Sequence, residues 1–263
     1  QTCALPIDVF EITHCREGRI ERSFRKAFCY LSPGDLSVAM ESEISGSAYF
    51  PLAHYHGIRI RIDLDRAPRC LSCFLDDVEV SPQALRQKFC SGSTCFIARS
   101  NESIAHIFSE LYNVPDSIRK GYFKVKILEL LLFLSAMPVE EAETKQHFVS
   151  RAQVSLAKAV CAYLTAHMNC RIPLEQLAEH FHVSGTQIKT SFKRVYGVSF
   201  FAYTRRQKME AAALMLAETD RSVLEVAGCF GYDNGSKFSK AFKDIMGATP
   251  AEYRAHAAAK PAE

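Results

Sequence analysis

The sequence predicts an α+β chain: a β-rich first hundred or so residues, helices up to 137, and an all-α C-terminal part made of two similar units. Three observations carry this. The stretch "GIRIRIDLD" (57–65) alternates strictly, with Ile58, Ile60, Ile62 and Leu64 on one face and Arg59, Arg61, Asp63 and Asp65 on the other, the period of a half-buried strand. The stretch "NESIAHIFSELYN" then sets Ile104, Ile107, Phe108 and Leu111 at helical spacing. Residues 174–203 and 223–254 repeat one pattern of caps, tight turns and apolar stripes. A length of 263 residues suits about two domains.

In the first part, "YLSPGDLSVAM" reads as two strand fragments around a Pro-Gly-Asp turn, and "STCFIARS" as another short strand. Several short strands close most simply into a small antiparallel barrel or jelly roll. In such a barrel Ile58, Ile60 and Ile62 face inward and are the candidate lining of an apolar ligand cavity. "DSIRKGYFKVKILELLLFLSAM" (116–137) is a longer helix, apolar nearly all round from Ile127 to Leu134. It needs cover on more than one side, the barrel on one and a second copy of the chain on the other. "PVEEAETKQHFVSRAQ" (138–153) is polar and without periodicity, a linker between residues 1–137 and a C-terminal domain at 154–255, with 256–263 as a tail.

The C-terminal elements are strongly punctuated. Ser222 and Glu225 form a capping box opening a short helix whose apolar set is Val223, Leu224, Val226, Ala227 and Phe230. Gly231 supplies a tight backbone position, and Asp233 or Asn234 caps the next helix. That helix buries Phe238, Ala241, Phe242 and Ile245, at i, i+3, i+4 and i+7, and turns Lys237, Lys240 and Lys243 the other way. It ends at Gly247, and Thr249, Pro250 and Glu252 start a further helix. The earlier copy has Ser184 and Gln187 as its capping box and Ile188, Ser191, Phe192 and Val195 as its stripe. Ala178, Phe181 and Val183 lie 49 residues before Ala227, Phe230 and Tyr232, whereas Phe192, Lys193, Gly197 and Tyr203 lie 50 before Phe242, Lys243, Gly247 and Tyr253. The second copy therefore holds one extra residue in its turn or helix start. "YTRRQKMEAAALMLAE" (203–218) has no breaker and reads as one linking helix. Each copy has the helix-turn-helix layout.

On these residues, "LAEHFHVSGTQIKTSFKRVYGVS", "RRQKMEAAALML", "VAGCFGY" and "KFSKAFKDIMGATPAEYR", the region from about 150 to 255 resembles the DNA-binding domain of the AraC/XylS transcriptional regulators. The resemblance implies a sequence-specific regulator, more often an activator, whose N-terminal domain is a cupin-like barrel with dimerisation helices that senses a small molecule, or else binds none and only dimerises or contacts a protein partner. It implies double-stranded DNA and RNA polymerase as partners, an effector and a homodimer. The outward residues of the two recognition helices are then the DNA-binding candidates: Thr186, Gln187, Lys189, Thr190 and Lys193 in the first, Ser236, Lys237, Lys240 and Lys243 in the second. Of these, Lys193 and Lys243, with Arg194, Arg205 and Arg206, suit phosphate contact or plain solubility.

Charge fits this division. The whole chain carries 32 Lys/Arg against 29 Asp/Glu, but residues 151–263 hold 15 against 10, a net +5, leaving 17 against 19, a net −2, before them. The basic half is the half with the repeated unit, as phosphate contact requires. No apolar run reaches 18 residues, "ILELLLFLSAMPV" being too short and interrupted by Glu129, so no membrane span is expected. The start, "QTCALPIDVFEITHC", lacks a signal-peptide core and begins at Gln1 rather than Met, which leaves room for a missing start. A cytoplasmic location and ten reduced, mostly buried cysteines follow as expectations.

The alternative reading is a metal-dependent cupin-type enzyme fused to a DNA-binding module. His54 and His56 in "HYHG" share one strand face, as two metal ligands would, but the next acidic residues, Asp63 and Asp65, lie on the outward face and the next histidine, His106, lies in a helix. Cys70 and Cys73 form a lone "CLSC" without a second pair, and His14 beside Cys15 adds little. No catalytic residue, metal or cofactor is expected, and the chain is read as a non-enzyme.

Overall fold

The computed structural model describes residues 8–24, 27–67, 80–91, 95–139 and 147–258, and the chain divides into two compact units, Gln1–Arg151 and Ala152–Glu263. The "CLSC" pair lies outside the described residues.

The first unit contains β1 (Val9–Gly18), β2 (Ile20–Phe24), β3 (Ala27–Leu31), β4 (Asp35–Met40), β5 (Ile44–Tyr49), β6 (Tyr55–Asp63), α1 (Pro82–Cys90), β7 (Phe96–Arg99), α2 (Glu102–Leu111), α3 (Arg119–Ala136) and β8 (Phe148–Ser150). Its strands form two four-stranded sheets, ordered β6-β1-β4-β7 and β5-β2-β3-β8, all pairs antiparallel. The expected closed barrel is not what forms. The Pro-Gly-Asp turn, with Gly34 at φ 85°, sends β3 into one sheet and β4 into the other. The sheets meet face to face through Cys15, Ala39 and Ile97 of one and Ile20, Phe24, Cys29 and Leu31 of the other.

The second correction concerns which way the β6 isoleucines point. In the β1–β6 register Ile12 faces Ile60 and Glu11 faces Arg61, and directly opposed residues share a side. Ile60 therefore joins Phe10 and Ile12 in a core with Val38, Leu85, Phe89, Ile104, Ile107, Phe108, Leu130 and Leu134, while Ile58 and Ile62 pack against it. This is the face covered by α1, α2 and α3. The alternation is a true strand signal, but the apolar side meets helices instead of lining a cavity between sheets.

The opposite face of β1 carries charge into the interior. Glu11 Oε1 accepts from Arg22 Nη2 over 2.6 Å and from the Thr13 hydroxyl over 3.0 Å, and all three are buried. Glu21 accepts from the Tyr30 hydroxyl nearby, and burial followed by that bond pushes the phenol pKa far up. Buried charges persist only when paired in this way.

Helix α1 falls within the stretch read as β. Ser81 Oγ accepts from Ala84 N and Pro82 occupies the first turn, and Pro82, Leu85 and Phe89 are buried. Within the expected linker, Phe148, Val149 and Ser150 pair with Cys29, Phe28 and Ala27, and α4 (Arg151–Ala166) begins at once, earlier than residue 154. Among the described residues no helix is long and apolar enough to cross a membrane.

The second unit is entirely helical: most of α4, then α5 (Leu174–Phe181), α6 (Gly185–Tyr196), α7 (Phe200–Glu218), α8 (Val223–Cys229), α9 (Gly235–Met246) and α10 (Pro250–Ala258). The linking helix α7 starts three residues before the expected Tyr203, because Ser199 Oγ caps it through Ala202 N.

Candidate nucleic-acid interface

Helices α5–α6 and α8–α9 build the same object twice. His182 at φ 53° and Gly231 at φ 73° take the left-handed conformation after the first helix of each pair, 49 residues apart. Ser184 and Asn234 cap α6 and α9, 50 residues apart: Ser184 Oγ accepts from Gln187 N, and Asn234 Oδ1 from Ser236 N and Lys237 N. The extra residue therefore lies in the turn, between Gly231 and Asn234. Gly197 and Gly247, at φ 78° and 79°, end both helices. The Ser222–Glu225 and Thr249–Glu252 boxes close reciprocally, whereas Ser184 shows only its own half. Of the apolar set expected for α8, Leu224 is 63% exposed, being off the stripe formed by Val226, Ala227 and Phe230.

The stripes bury as spaced. Ile188, Ser191, Phe192 and Val195 are inside in α6, and Phe238, Ala241 and Phe242 in α9, while Ile245, expected to complete that stripe, is only half-buried. Phe192 meets Tyr203 of α7 with ring centroids 5.5 Å apart, and Phe242 meets Tyr253 of α10 at the same 5.5 Å. The N-terminal half of α7 thus completes the first core, and its C-terminal half, with Met209, Ala212, Ala213 and Leu216, completes the second.

All nine candidate contact residues are exposed: Thr186, Gln187, Lys189, Thr190 and Lys193 on α6, and Ser236, Lys237, Lys240 and Lys243 on α9. The three residues Ser236, Lys237 and Lys240 stand on the first turns of α9, beside its partly positive N-terminus. Among the described residues no carboxylate lies within ion-pair distance of Lys189, Lys237 or Lys240. Arg205 and Arg206 differ: Arg205 holds Asp244 at 2.7 Å and Arg206 holds Glu210 at 2.8 Å, so both are already engaged. Two exposed helix faces with unneutralised cations and short hydroxyls can grip phosphate and reach base edges.

Sequence reasoning passed over Lys208, which the α7 helix buries to 7% exposure, with its ammonium on two backbone carbonyls. The alternative metal site finds no support in geometry. His54 is in an exposed turn with Nδ1 on the Leu52 carbonyl, and His56 packs against Tyr112. No group of three His, Cys, Asp or Glu residues converges as a metal site among the described residues.

With this geometry in view, comparison with known proteins gives a consistent result. Residues 177–256 match the helix-turn-helix domain family. The arabinose operon regulatory protein of Salmonella typhimurium is 23% identical over 252 residues, 94% of this chain and 83% of that protein. The regulatory protein PocR of the same organism is 32% identical over 100 residues, 38% of this chain and only 33% of PocR. Among solved structures, the C-terminal domain of AraT, a response regulator from Geobacillus stearothermophilus, is 32% identical and covers 38% of this chain and 84% of that one, with a TM-score of 0.38. The C-terminal unit is a double helix-turn-helix domain of the DNA-binding kind. Its residues 177–256 are a helix-turn-helix domain of the AraC type.

Proposed function

We propose that the chain regulates transcription by docking α6 and α9 in successive major grooves of double-stranded DNA. The observation that carries this reading is the duplication itself: two capped helices with equivalent buried stripes and exposed Lys, Thr, Gln and Ser, built on one continuous helix. Thr186, Gln187, Lys189, Thr190, Ser236, Lys237 and Lys240 are the base readers, and Lys193 and Lys243, nearer the helix C-termini, hold phosphates. The N-terminal unit serves as the sensor of a small molecule and as the dimerisation module, and the outcome at the promoter is activation through RNA polymerase. Dimerisation draws support from α3, where Val125 and Phe133 are exposed beside half-buried Leu128 and Leu132. Such apolar surface on a helix calls for a partner.

The test starts from duplexes recovered from a random-sequence library by the full chain. Lys240→Ala is expected to weaken the recovered duplex by roughly 5- to 150-fold and scrambled DNA much less. Lys243→Ala is expected to weaken both alike and to lower the salt-dependence slope by about one. No change from either substitution means a merely solvated face and overturns the reading.

A further inference from the structure

Each half of α7 belongs to a different core. Phe200 and Tyr203 pack with Phe192 in the first helix-turn-helix, and Met209 onward packs with Phe238 and Phe242 in the second. Lys208 stands at the changeover. Its Nζ donates to the Cys170 carbonyl over 2.8 Å and to the Phe230 carbonyl over 2.9 Å. Cys170 is in the segment joining α4 to α5, on the side of the first motif, and Phe230 ends α8 in the second.

The backbones that Lys208 joins are already close. A Cβ on Gly231 would come within 2.9 Å of the Asn169 carbonyl oxygen and 3.2 Å of Cys170 Cα, so this position, left-handed at φ 73°, accepts only glycine without a shift. Met168, from the same segment as Cys170, adds an apolar contact to the second core. A cleft of about 500 Å³ opens at the junction, lined by Leu164, Ile172 and Phe200 from one side and by Tyr232, Asn234 and Lys237 from the other. Beside that apolar contact, a charged donor on two backbone carbonyls is the directional contact that sets the angle. Burial lowers the ammonium pKa, so the position is held against a desolvation cost, as a structural clamp would be.

We propose that Lys208 is a positioning residue that fixes the separation of the two recognition helices, and with it the spacing of the two half-sites on DNA. This rests on the reading of α6 and α9 as DNA readers. A geometric clamp has a signature distinct from loss of a DNA contact. It matters when both helices must dock in register and is silent when only one docks.

The experiment uses the full chain and three probes: the duplex recovered by the wild type, the same duplex with one half-site scrambled, and a set with one to three base pairs inserted between half-sites. If the wild type recovers no preferred duplex, it is the DNA-binding reading that fails. Given a recovered duplex, Lys208→Met is expected to bind it about tenfold or more weakly, since the buried Phe230 carbonyl and the part-buried Cys170 carbonyl lose their donor. Binding to the half-scrambled duplex is expected to stay at the wild-type level, and the penalty for insertions to flatten. Lys208→Arg, which keeps charge and donors, is expected to restore most of the loss. Should Lys208→Met fail to fold, Lys208→Gln carries the same expectations. Equal weakening on all probes, or wild-type binding with an unchanged insertion penalty, overturns the proposal.

Discussion

Phe242 and Tyr253 meet edge-on, ring centroids 5.5 Å apart and planes at 81°, repeating fifty residues later the contact of Phe192 with Tyr203. These pairs hold each recognition helix against its support, and the outward lysines contribute nothing to them. Phe242→Ala is expected to cost about 3–5 kcal/mol through the cavity left behind. Lys240→Ala on the same helix is expected to leave stability unchanged. Urea unfolding followed by far-ultraviolet dichroism of the helical signal checks both, and comparable losses from the two would contradict the assignment of faces.

Between the sheets, Arg22 and Glu11 form an ion pair with side chains 9% and 4% exposed. Removing one partner strands the other charge in the interior. Glu11→Leu is expected to destabilise the N-terminal unit by about 3–5 kcal/mol, whereas Glu11→Leu with Arg22→Leu recovers most of that loss. A double variant no more stable than the single one would show that the pair is not coupled.

His14 lies flat on Phe108, centroids 4.1 Å apart, and neither ring nitrogen has a hydrogen-bond partner. Burial, with the Arg99 guanidinium adding to it, lowers its pKa from 6.5 to about 4. The folded state therefore disfavours the proton that the unfolded chain accepts. This contribution to stability is full above pH 6.5 and is lost as pH drops toward 4, by about 3 kcal/mol in all. His14→Phe keeps a ring on Phe108 and cannot titrate, so its unfolding free energy is expected to fall less over that window. Parallel pH profiles for the two proteins would refute this origin.

The repeat was legible because its signals are local. Ser222 and Glu225 are three residues apart, and Gly231, Gly247 and the caps act within one turn. The facing of β6 was not legible, since alternation separates Ile60 from Arg61 without saying which layer each meets; helices supplied the apolar one. Strand β8 is three residues long, too short for a period to show, and α1 is a nine-residue helix inside the stretch read as β. The role of Lys208 depends on carbonyls 38 and 22 residues away, which no window of sequence brings together.

The central claim is that α6 and α9 engage DNA together. A hydroxyl-radical footprint of the full chain on its recovered duplex tests it most directly. Two protected windows on one face of the duplex are expected, with centres roughly one helical turn, about 34 Å, apart. Lys237→Ala and Lys240→Ala are expected to weaken one window first, and substitutions at Gln187 and Lys189 the other. Protection confined to a single groove, or two windows that all four substitutions weaken equally, would contradict the account.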